Sequence, residues 1–563
     1  MIDNYGELSR EALIEVLRRR DRERKLGLVW ERREIERDAS INDDVVLLAY
    51  DDALSVADGP TRNLVIEGDN YDSLRWLRVT HRNRVRFIYI DPPYNRGNTT
   101  FVYNDRYVDP DDRYRHSTWL EFMYQRLRLA RDLLAPDGLL FVSIDDEEMA
   151  RLKLLLDIVF PGGFLANLIW QSDGNSDNQG IFKIKHEYIL VYALDPSQID
   201  APPVTDPNLD EESKLFNDEK RNTIIKNGFK NPPSKILLPK GFPASFESGT
   251  IVPKTGPTEW PKHTVPLRVE QFSLAEAVEI ESGWSSRRQF ERFIDGDFLS
   301  VLDSQGQETR FELTPTGAIE SFKPRSEVQS YVVSVIRGVG SVQKTKRDLE
   351  RIGLRFDYPK PVGLLRYLLR MVPGNDFTAL DFFAGTGTMG EAVMRLNAAD
   401  NGKRSFILAS STEATRDDPD KNVCRDACAR RLRWYFEHDG DSQRNRESEL
   451  YGFTYARAQR IAVADIDIAL TPAEAWAWIQ RIHGFAPRRY DNGLAMQTIG
   501  DDATWVAYVD RVSDAAKMTL EQLAAARTGI VYAWSPGALR DLDYRLPVEV
   551  RAVPDRFVDH FVA

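Results

Sequence analysis

The chain has 563 residues and a mass of 64.5 kDa, more than a single hydrophobic core usually holds, so about two to four domains are expected. Its 42% hydrophobic and 29% charged residues are typical of a globular protein, and the lack of an apolar run of about eighteen residues argues against a membrane span. The net charge of −12 argues against a general polyanion binder. Phosphates respond to local charge, however, and the arginine-rich stretch from Arg75 to Arg131 is compatible with DNA binding.

The N-terminal region, 1–45, is strongly charged with a helical pattern, and it lacks the apolar core of a signal peptide. The chain contains two cysteines, Cys424 and Cys428, four residues apart in a segment with a helical pattern. Half of a metal site is one interpretation, but no second cluster of cysteine and histidine lies nearby in the sequence. We therefore expect reduced thiols, no metal and a cytoplasmic location.

Alternating strands and helices are predicted for residues 46–200. The first pair is NLVIEGDNYDSLRWL (63–77), which reads as a short strand, a turn and the start of a helix. The apolar run VRFIYI (85–90) is typical of a buried strand. Further helices are predicted for STWLEFMYQRLRLARDLLA and EEMARLKLLLDIVF, and further strands for LLFVSIDD, ANLIWQS and HEYILVYALD. This alternation predicts a doubly wound α/β sheet.

The composition changes over 201–352, where glycine, proline, lysine and short β-type runs replace long apolar helices. We interpret this segment as an inserted, β-rich domain. The α/β pattern returns over 353–440, with PKPVGLLRYLLRMV predicted as a helix and SFILASSTE as a strand. Residues 441–563 show alternating strands and helices with several tryptophans, which predicts a small C-terminal α/β domain.

The strand VRFIYI ends in the tetrapeptide Asp91-Pro92-Pro93-Tyr94. Proline restricts φ and lacks an N–H donor, so the carbonyl oxygens of Asp91 and Pro92 are expected to be free, rigidly oriented acceptors. An exocyclic amine requires acceptors for its two hydrogens and an aromatic ring on which its base can stack. We therefore infer an enzyme that acts on the amino group of a nucleobase; a turn without catalytic meaning is the alternative.

A second special turn lies in LDFFAGTGTMG, from Leu380 to Gly390. Such a turn lets the backbone approach a ligand and points helix N–H groups at it, although an ordinary strand-to-helix turn has the same pattern. No Lys-Ser/Thr follows the glycines, so we do not expect ATP hydrolysis. Because both turns follow apolar strands, both are expected at one edge of a parallel sheet, one holding a cofactor and the other the reacting base.

These motifs carry a family resemblance. A DPPY tetrapeptide followed later by an FxGxG-type turn resembles the amino-methyltransferases of DNA that use S-adenosylmethionine, and the motif order is that family's circularly permuted β arrangement. YIDPPYNRGN, HEYILVYA and YPKPVGLL, with other segments, resemble the modification subunit of Type III restriction–modification systems. The resemblance implies a Rossmann-like S-adenosylmethionine-dependent methyltransferase fold with a mostly parallel sheet, in which the insert is the target-recognition domain.

The resemblance also implies roles. N6 of a flipped adenine would donate to the Asp91 carboxylate and the Pro92 carbonyl, and Tyr94 would stack on the base. The implied cofactor-binding residues are Asp69, Lys360, Pro361, Asp381, Phe383, Ala384, Gly385, Thr386, Gly387 and Glu413. For Asp69, a helix cap is the alternative role. Candidates for contacting DNA are, in the loop after the tetrapeptide, Phe101, Tyr103 and Tyr107, and, in the insert, Trp260, Trp284, Arg287 and Arg288 with Lys226, Lys230 and Lys235. Each has an alternative role as a loop anchor, core aromatic or surface charge.

The implied substrate is double-stranded DNA, and the implied partners are a second copy of the chain and a helicase–nuclease restriction subunit. Asp in the first position of the tetrapeptide favours adenine, whereas the cytosine-N4 branch more often carries serine there. The alternatives are a solitary DNA methyltransferase, a DNA-binding specificity subunit that directs a separate helicase–nuclease, and methylation of RNA or of a glutamine side chain. We expect neither a metal nor ATP to be required by this chain.

Overall fold

The computed structural model describes residues 44–553 except 57–60, 97–101, 104–105, 108–114, 173–181, 207, 209–218, 257, 305, 325–329, 357, 415–417, 439–449, 486–487, 489, 491–492, 500–503 and 540–546. The charged region predicted for 1–45 therefore lies almost entirely outside the described residues. The chain divides into two compact units. Asn208–Tyr331 forms the inserted unit, and Met1–Pro207 together with Val332–Ala563 forms the main unit.

Strands and helices alternate through the first part of the main unit. Its strands are β1 (Asp44–Tyr50), β2 (Leu64–Glu67), β3 (Val85–Ile90), β4 (Val102–Tyr103), β5 (Arg106–Tyr107), β6 (Leu134–Ile144), β7 (Phe164–Gln171) and β8 (His186–Ala193). Its helices are α1 (Asn70–His81), α2 (Arg115–Leu133) and α3 (Met149–Val159). Each apolar run predicted as a strand or helix in this part of the chain forms the predicted element.

The inserted unit consists mainly of short strands. They are β9 (Glu219–Thr223), β10 (Ser234–Leu238), β11 (Gly249–Ile251), β12 (Lys262–His263), β13 (Leu267–Glu270), β14 (Ser273–Leu274), β15 (Val278–Ser282), β16 (Val301–Leu302), β17 (Glu308–Leu313) and β18 (Ile319–Pro324). A helix, α4 (Arg287–Asp295), places Phe290 and Phe293 in a core that also contains Trp284 and Phe311. Burial of these aromatic rings holds the small sheets together.

The main unit resumes after the insert. Its further strands are β19 (Val335–Ile336), β20 (Thr378–Asp381), β21 (Ser405–Ser410), β22 (Thr454–Ala462), β23 (Leu494–Ile499), β24 (Thr504–Val509), β25 (Thr528–Ala533) and β26 (Val548–Ala552). Its further helices are α5 (Val342–Arg351), α6 (Val362–Leu369), α7 (Thr388–Asp400), α8 (Arg430–His438), α9 (Ile466–Ala469), α10 (Pro472–Ile482) and α11 (Asp514–Ala526). Within the described parts of the chain, no helix is both long and apolar enough to cross a bilayer.

The central sheet of the main unit has the strand order β1-β22-β2-β21-β20-β3-β6-β8-β7-β19. Neighbouring strands from β22 to β6 pair in parallel, and β8 is antiparallel to both of its neighbours. Phe87 and Tyr89 of β3 face one core, whereas Ile88 and Ile90 face the other. Helices α1 to α3 pack on one face and α6 to α8 on the other, so the sheet is doubly wound.

Two segments lie in the central sheet although the sequence predicts them elsewhere. β22 falls within 441–563, predicted as a separate C-terminal domain, yet it pairs with β1 on one side and β2 on the other. β19 falls within the predicted insert 201–352, yet it pairs in parallel with β7. The hydrophobic pattern predicts that a segment forms a strand but not which sheet receives it, because pairing depends on the complete fold.

The remaining C-terminal strands form their own sheet, in the order β23-β24-β25-β26. This sheet is joined to the central sheet through a shared core. Trp476 and Trp478 of α10 are buried in the same cluster as Val45 and Leu47 of β1. The C-terminal segment is therefore packed into the main unit through large apolar contacts.

Candidate active site

The two special turns are neighbours in the structure. β3 and β20 pair in parallel, with Phe87 opposite Ala379 and Ile88 opposite Leu380. Both strands run in the same direction, so the residues that follow them emerge at the same edge of the sheet. The tetrapeptide that begins at Asp91 and the glycine-rich turn thus lie side by side, as the sequence predicts.

The Asp91 carboxylate belongs to a compact polar cluster. The Lys360 ammonium lies 2.8 Å from Asp91 Oδ2 and 3.1 Å from Glu187 Oε2, so it bridges two carboxylates. The Tyr94 hydroxyl lies 2.8 Å from Asp91 Oδ1 and 2.9 Å from Glu187 Oε2, so its one proton can be donated to either. Lys360 Nζ also donates to the Tyr94 hydroxyl oxygen at 2.9 Å. Lys360, which the sequence analysis assigns to cofactor binding, therefore contacts two residues of the tetrapeptide.

The backbone after the two prolines is held by buried partners. The Trp119 indole N–H donates to the Pro93 carbonyl oxygen at 2.7 Å. Asn95 adopts a left-handed conformation, with φ of 56°, and its side-chain amide donates to the buried Glu148 carboxylate at 2.6 Å. These contacts fix the exit of the chain from the tetrapeptide, so Asp91 and Tyr94 are held in a defined geometry.

The charges in this cluster oppose one another. Burial raises the pKa of Asp91, the Lys360 ammonium acts to lower it, and the Glu187 carboxylate adds to the rise. Burial acts to lower the pKa of the Lys360 ammonium, but the negative charges of Asp91 and Glu187 outweigh this effect, so the pKa is raised overall. Burial and both carboxylates raise the pKa of the Tyr94 hydroxyl well above its ordinary value. The cluster thus contains a neutral phenol and a lysine cation shared by two carboxyl groups.

Glu187 is a functional candidate that sequence reasoning missed. It occupies the second position of β8, in HEYILVYA, where a charged residue opens an otherwise apolar strand. β8 is separated from β3 by β6 in the sheet. The sequence therefore gives no indication that Glu187 shares Lys360 and Tyr94 with Asp91. The charge at the start of a buried strand was the one signal available.

The glycine-rich turn has the backbone geometry of a ligand-binding loop. The Phe383 N–H donates to Asp381 Oδ1 at 2.9 Å, and the Gly387 N–H donates to the Ala384 carbonyl oxygen at 2.7 Å. Gly385 and Gly387 have φ of 49° and 75°. A Cβ added at Gly385 would meet no atom closer than 3.8 Å, so this part of the turn has room for a ligand.

Replacing Gly387 by alanine is expected to reduce stability by roughly 2–4 kcal/mol, because the left-handed conformation is unfavourable for alanine and the new methyl group is crowded. An added Cβ would lie 2.9 Å from Cys428 Sγ. Gly162 is a matched control, since its φ is 74° and an added Cβ would meet nothing within 4 Å. Urea denaturation should show a larger loss for G387A than for G162A; equal losses would mean that the turn is not tightly packed.

Asp381 is buried at the end of β20. Burial raises the pKa of Asp381 to about 8, with the Phe383 N–H acting to lower it and the nearby Asp91 charge adding to the rise. The native protein thus retains a proton that the unfolded chain releases at a lower pH. The free energy of unfolding is therefore expected to fall as pH rises from about 4 to about 8.

Replacing Asp381 by asparagine should remove this contribution, since an amide does not titrate. The difference in unfolding free energy between the variant and the wild type is expected to move in favour of D381N as pH rises to about 8. Chemical denaturation of both proteins across this pH range provides the measurement. A difference that stays constant with pH would show that Asp381 is ionised throughout.

Other predicted cofactor residues surround the same turn. Thr386 accepts from the buried Arg431 guanidinium at 2.9 Å, and Arg431 also pairs with Glu391 of α7 at 2.7 Å. Pro361 is buried and immediately precedes α6, and the Phe383 ring packs 6.0 Å from the Phe122 ring. Arg431 of α8 and Phe122 of α2 thus hold the turn from two sides.

Asp69 and Glu413 have structural partners. Asp69 accepts from the Tyr71 N–H at 2.7 Å as the N-cap of α1, and it pairs with Arg126 at 2.9 Å, which agrees with the helix-cap alternative. Glu413 has φ of 54° and pairs with Lys421 at 2.9 Å on the surface. The predicted cofactor contacts of Asp69 and Glu413 stay predictions.

The predicted DNA-contacting residues have different environments. Phe101 lies outside the described residues, and for Tyr103 only the backbone of β4 is described. Trp284 is 4% exposed, and its indole N–H donates to the Ser234 carbonyl oxygen, so it is a core residue rather than a surface reader of DNA. Arg287 and Arg288, by contrast, are exposed at the start of α4.

Both cysteines are buried free thiols, and Cys428 lies beside Gly387 of the glycine-rich turn. Burial is the main cause that raises the pKa of Cys424 to about 12, so this thiol stays protonated at neutral pH. No cluster of three or more candidate metal ligands occurs among the residues described by the structure.

Comparison with known proteins identifies the family. The N6_N4_Mtase family model, described as DNA methylase, matches residues 85–408. This match spans β3, the tetrapeptide, the insert, the glycine-rich turn and most of β21. The chain belongs to this DNA methylase family.

Relatives of this chain include subunits of restriction–modification enzymes. The EcoPI Mod subunit of Escherichia phage P1 is 32% identical, over 63% of this chain and 58% of the relative. The StyLTI Mod subunit of Salmonella typhimurium is 31% identical, over 63% of this chain and 53% of the relative. The chain thus spans less than two thirds of the length of these Mod subunits. A Type II methyltransferase, M.KpnI of Klebsiella pneumoniae, is 26% identical over 64% of this chain and 82% of the relative.

Two solved structures with a limited similarity to this chain are the following. A putative DNA modification methylase from Thermus thermophilus, complexed with S-adenosyl-L-methionine, has 15% identity and a TM-score of 0.29, covering 70% of this chain and 99% of that chain. The cytosine-N4-specific PvuII DNA methyltransferase has 11% identity and a TM-score of 0.32, covering 68% of this chain and 92% of that chain.

Proposed function

We propose that this protein transfers a methyl group from S-adenosylmethionine to N6 of a flipped adenine in duplex DNA. The observation that carries the proposal is the placement of Asp91 and Tyr94 beside the glycine-rich turn after β20. One turn offers acceptors for an amine, and the other offers a ligand-binding loop at the same edge of the sheet. Membership in a DNA methylase family supports the reaction class.

The residues around the glycine-rich turn fit S-adenosylmethionine. Gly385 leaves space for a ligand, and the turn leads directly into the first N–H groups of α7. Asp381 and the residues Phe383 to Gly387 would hold its methionine part, with Lys360 and Pro361 closing the pocket. When bound, S-adenosylmethionine supplies an electrophilic methyl group. Glu413 and Asp69 are proposed to reach its ribose and adenine, and for this Glu413 must leave Lys421.

The tetrapeptide orients the amine. The Asp91 carboxylate and the Pro92 carbonyl accept the two N6 hydrogens, which directs the nitrogen lone pair away from the ring and toward the methyl group. The Tyr94 ring stacks on the flipped base and offsets part of its lost stacking in the duplex. Positive charge develops on N6 during attack, and the Asp91 carboxylate stabilises it until the proton leaves.

Lys360 must adjust when adenine enters, because its ammonium lies on the carboxylate that the amine requires. Glu187 offers a second place for it at 3.1 Å, so the ammonium can shift toward Glu187 without losing a charged partner. This exchange frees Asp91 as an acceptor while Lys360 stays paired in a buried site.

The inserted unit is proposed to recognise the DNA target. Its exposed Arg287 and Arg288 line a cavity of about 510 Å³ together with Arg292 and Lys323. Guanidinium groups suit both guanine edges and phosphates. Because the relatives are named Mod subunits, we further propose a modification subunit of a Type III system that acts in the cytoplasm as a homodimer with a helicase–nuclease partner.

A transfer assay with alternative acceptors tests the proposal. The purified chain is incubated with radiolabelled S-adenosylmethionine in four parallel reactions, each with one acceptor. The acceptors are bacterial genomic DNA, the same DNA after heat denaturation, total RNA and a protein extract. We expect label in duplex DNA. Label in RNA or protein but not in DNA would contradict the proposal. Light scattering of the purified chain with DNA tests the homodimer separately.

A further inference from the structure

An exposed aromatic ring stands at the tip of a hairpin in the inserted unit. The hairpin comprises residues 226–231, KNGFKN, and Phe229 at its tip is fully exposed, with a relative accessibility of 103%. Gly228 and Asn231 exchange two backbone hydrogen bonds, at 2.9 and 3.3 Å, which close the tip around Phe229 and Lys230. The ring of Phe229 is therefore accessible to a binding partner, and its surroundings decide which kind of partner it suits.

The base of the hairpin is firmly attached to the inserted unit. The Lys226 N–H donates to the Gly283 carbonyl oxygen at 2.8 Å, and the Gly283 N–H donates to Asn227 Oδ1 at 2.6 Å. A Cβ at Gly283 would lie 2.4 Å from the Asn231 carbonyl oxygen, so glycine permits this close backbone contact. The base of the hairpin is therefore fixed in the free protein, so binding at the tip loses little conformational entropy.

The charge around the tip suits an anionic partner. The stretch from Lys220 to Lys235 contains five basic residues and no acidic residue. Of these five, Lys235 pairs with Glu279 of the neighbouring strand β15 at 2.7 Å. Lys226 and Lys230 flank Phe229 and are exposed. The segment that anchors the hairpin continues directly into Trp284 and the start of α4, where Arg287 and Arg288 are exposed. An aromatic ring between lysines matches a nucleic acid, which offers π-faces bordered by phosphates.

We propose that Phe229 stacks on a base of the bound DNA as a wedge, while Lys226 and Lys230 contact the adjacent phosphates. The proposal rests on the proposed function, because it takes duplex DNA as the substrate. Apolar side chains that enter a base step unstack it and kink the duplex, which favours release of a nucleotide from the stack. The inserted unit would thereby help to open the DNA as well as to recognise it.

Equilibrium binding of the full chain to methylatable duplex DNA at several salt concentrations tests this role. F229A is expected to raise Kd roughly 10- to 100-fold, since stacking on one base is lost, and to leave the salt dependence unchanged. F229W should restore binding because it restores an aromatic face. K230A should lower the slope of log Kd against log salt by about one, since one phosphate contact is lost. F272A, at another exposed phenylalanine of the inserted unit, is the matched control and should bind like the wild type.

A Kd for F229A within about twofold of the wild type would overturn the wedge, as would a failure of F229W to restore binding. The wild-type methylation assay separates this result from the proposed function. A wild type that binds duplex DNA but transfers no methyl group contradicts the proposed function, while the comparison of F229A with F229W still decides the role of Phe229. A wild type that binds no duplex DNA overturns both.

Discussion

Replacing Asp91 by alanine is expected to lower the methyl-transfer rate at saturating cofactor by about 10²–10³-fold or more, because the amine loses its charged acceptor. The variant should still bind S-adenosylmethionine, since the glycine-rich turn is held by its own contacts with Arg431 and the Ala384 carbonyl. Single-turnover transfer to duplex DNA, with cofactor affinity from calorimetry, provides the two measurements.

D376A is a matched control for D91A. Asp376 precedes β20, is half exposed and pairs with Arg62 at 3.1 Å, so its loss removes a surface ion pair and no proposed active-site group. D376A should transfer methyl groups at the wild-type rate. If D91A transferred methyl groups as fast as D376A, the reacting amine would have to be held elsewhere. If both variants lost activity, the loss in D91A could not be assigned to the tetrapeptide.

The two neighbours of Asp91 are expected to shift the pH profile in opposite directions. Asp91 must be ionised to accept from N6, so the acidic limb of kcat/KM should follow its pKa. K360M removes the group that lowers the pKa of Asp91, and the acidic limb should move to higher pH. E187Q removes a carboxylate that raises this pKa, and the limb should move to lower pH. The other groups that act on Asp91 and its cluster, Tyr94, Tyr89 and Asp381, are unchanged in both variants.

The double variant K360M/E187Q should lie between the single variants, since the two side chains contact each other at 3.1 Å and their effects are coupled. At neutral pH we expect K360M to transfer at least about tenfold more slowly and E187Q to lose less than about tenfold. K153M, which alters a lysine paired with Asp157 on α3, is the control and should leave the profile unchanged. Shifts of both single variants in the same direction would contradict the shared-lysine arrangement.

Much of the central sheet could be predicted from local patterns. Continuous apolar runs such as VRFIYI predict strands buried on both faces, and Phe87 and Ile88 do face separate cores. The position of the two turns at one sheet edge also followed from sequence, because each turn follows a parallel strand. These predictions depend on neighbouring residues and on one general rule of α/β sheets.

Contacts between distant segments could not be predicted in this way. Glu187 accepts from Tyr94, 93 positions away, and Leu64 of β2 pairs with Thr454 of β22, 390 positions away, because strand order is decided by the complete fold. Residue type also fails to distinguish a core tryptophan from an exposed one. Trp284 is buried among phenylalanines, whereas Phe229 and Phe272 of the same unit are exposed. Burial depends on what packs around a ring, which composition does not give.

The identity of the methylated nucleoside tests the central claim most directly. Duplex DNA is incubated with the full chain and isotopically labelled S-adenosylmethionine, digested to nucleosides and separated by liquid chromatography with mass detection. The geometry of Asp91, Tyr94 and the adjacent turn predicts labelled N6-methyladenine, absent when D91A replaces the wild type. Labelled N4-methylcytosine, or DNA without a labelled nucleoside, would contradict it.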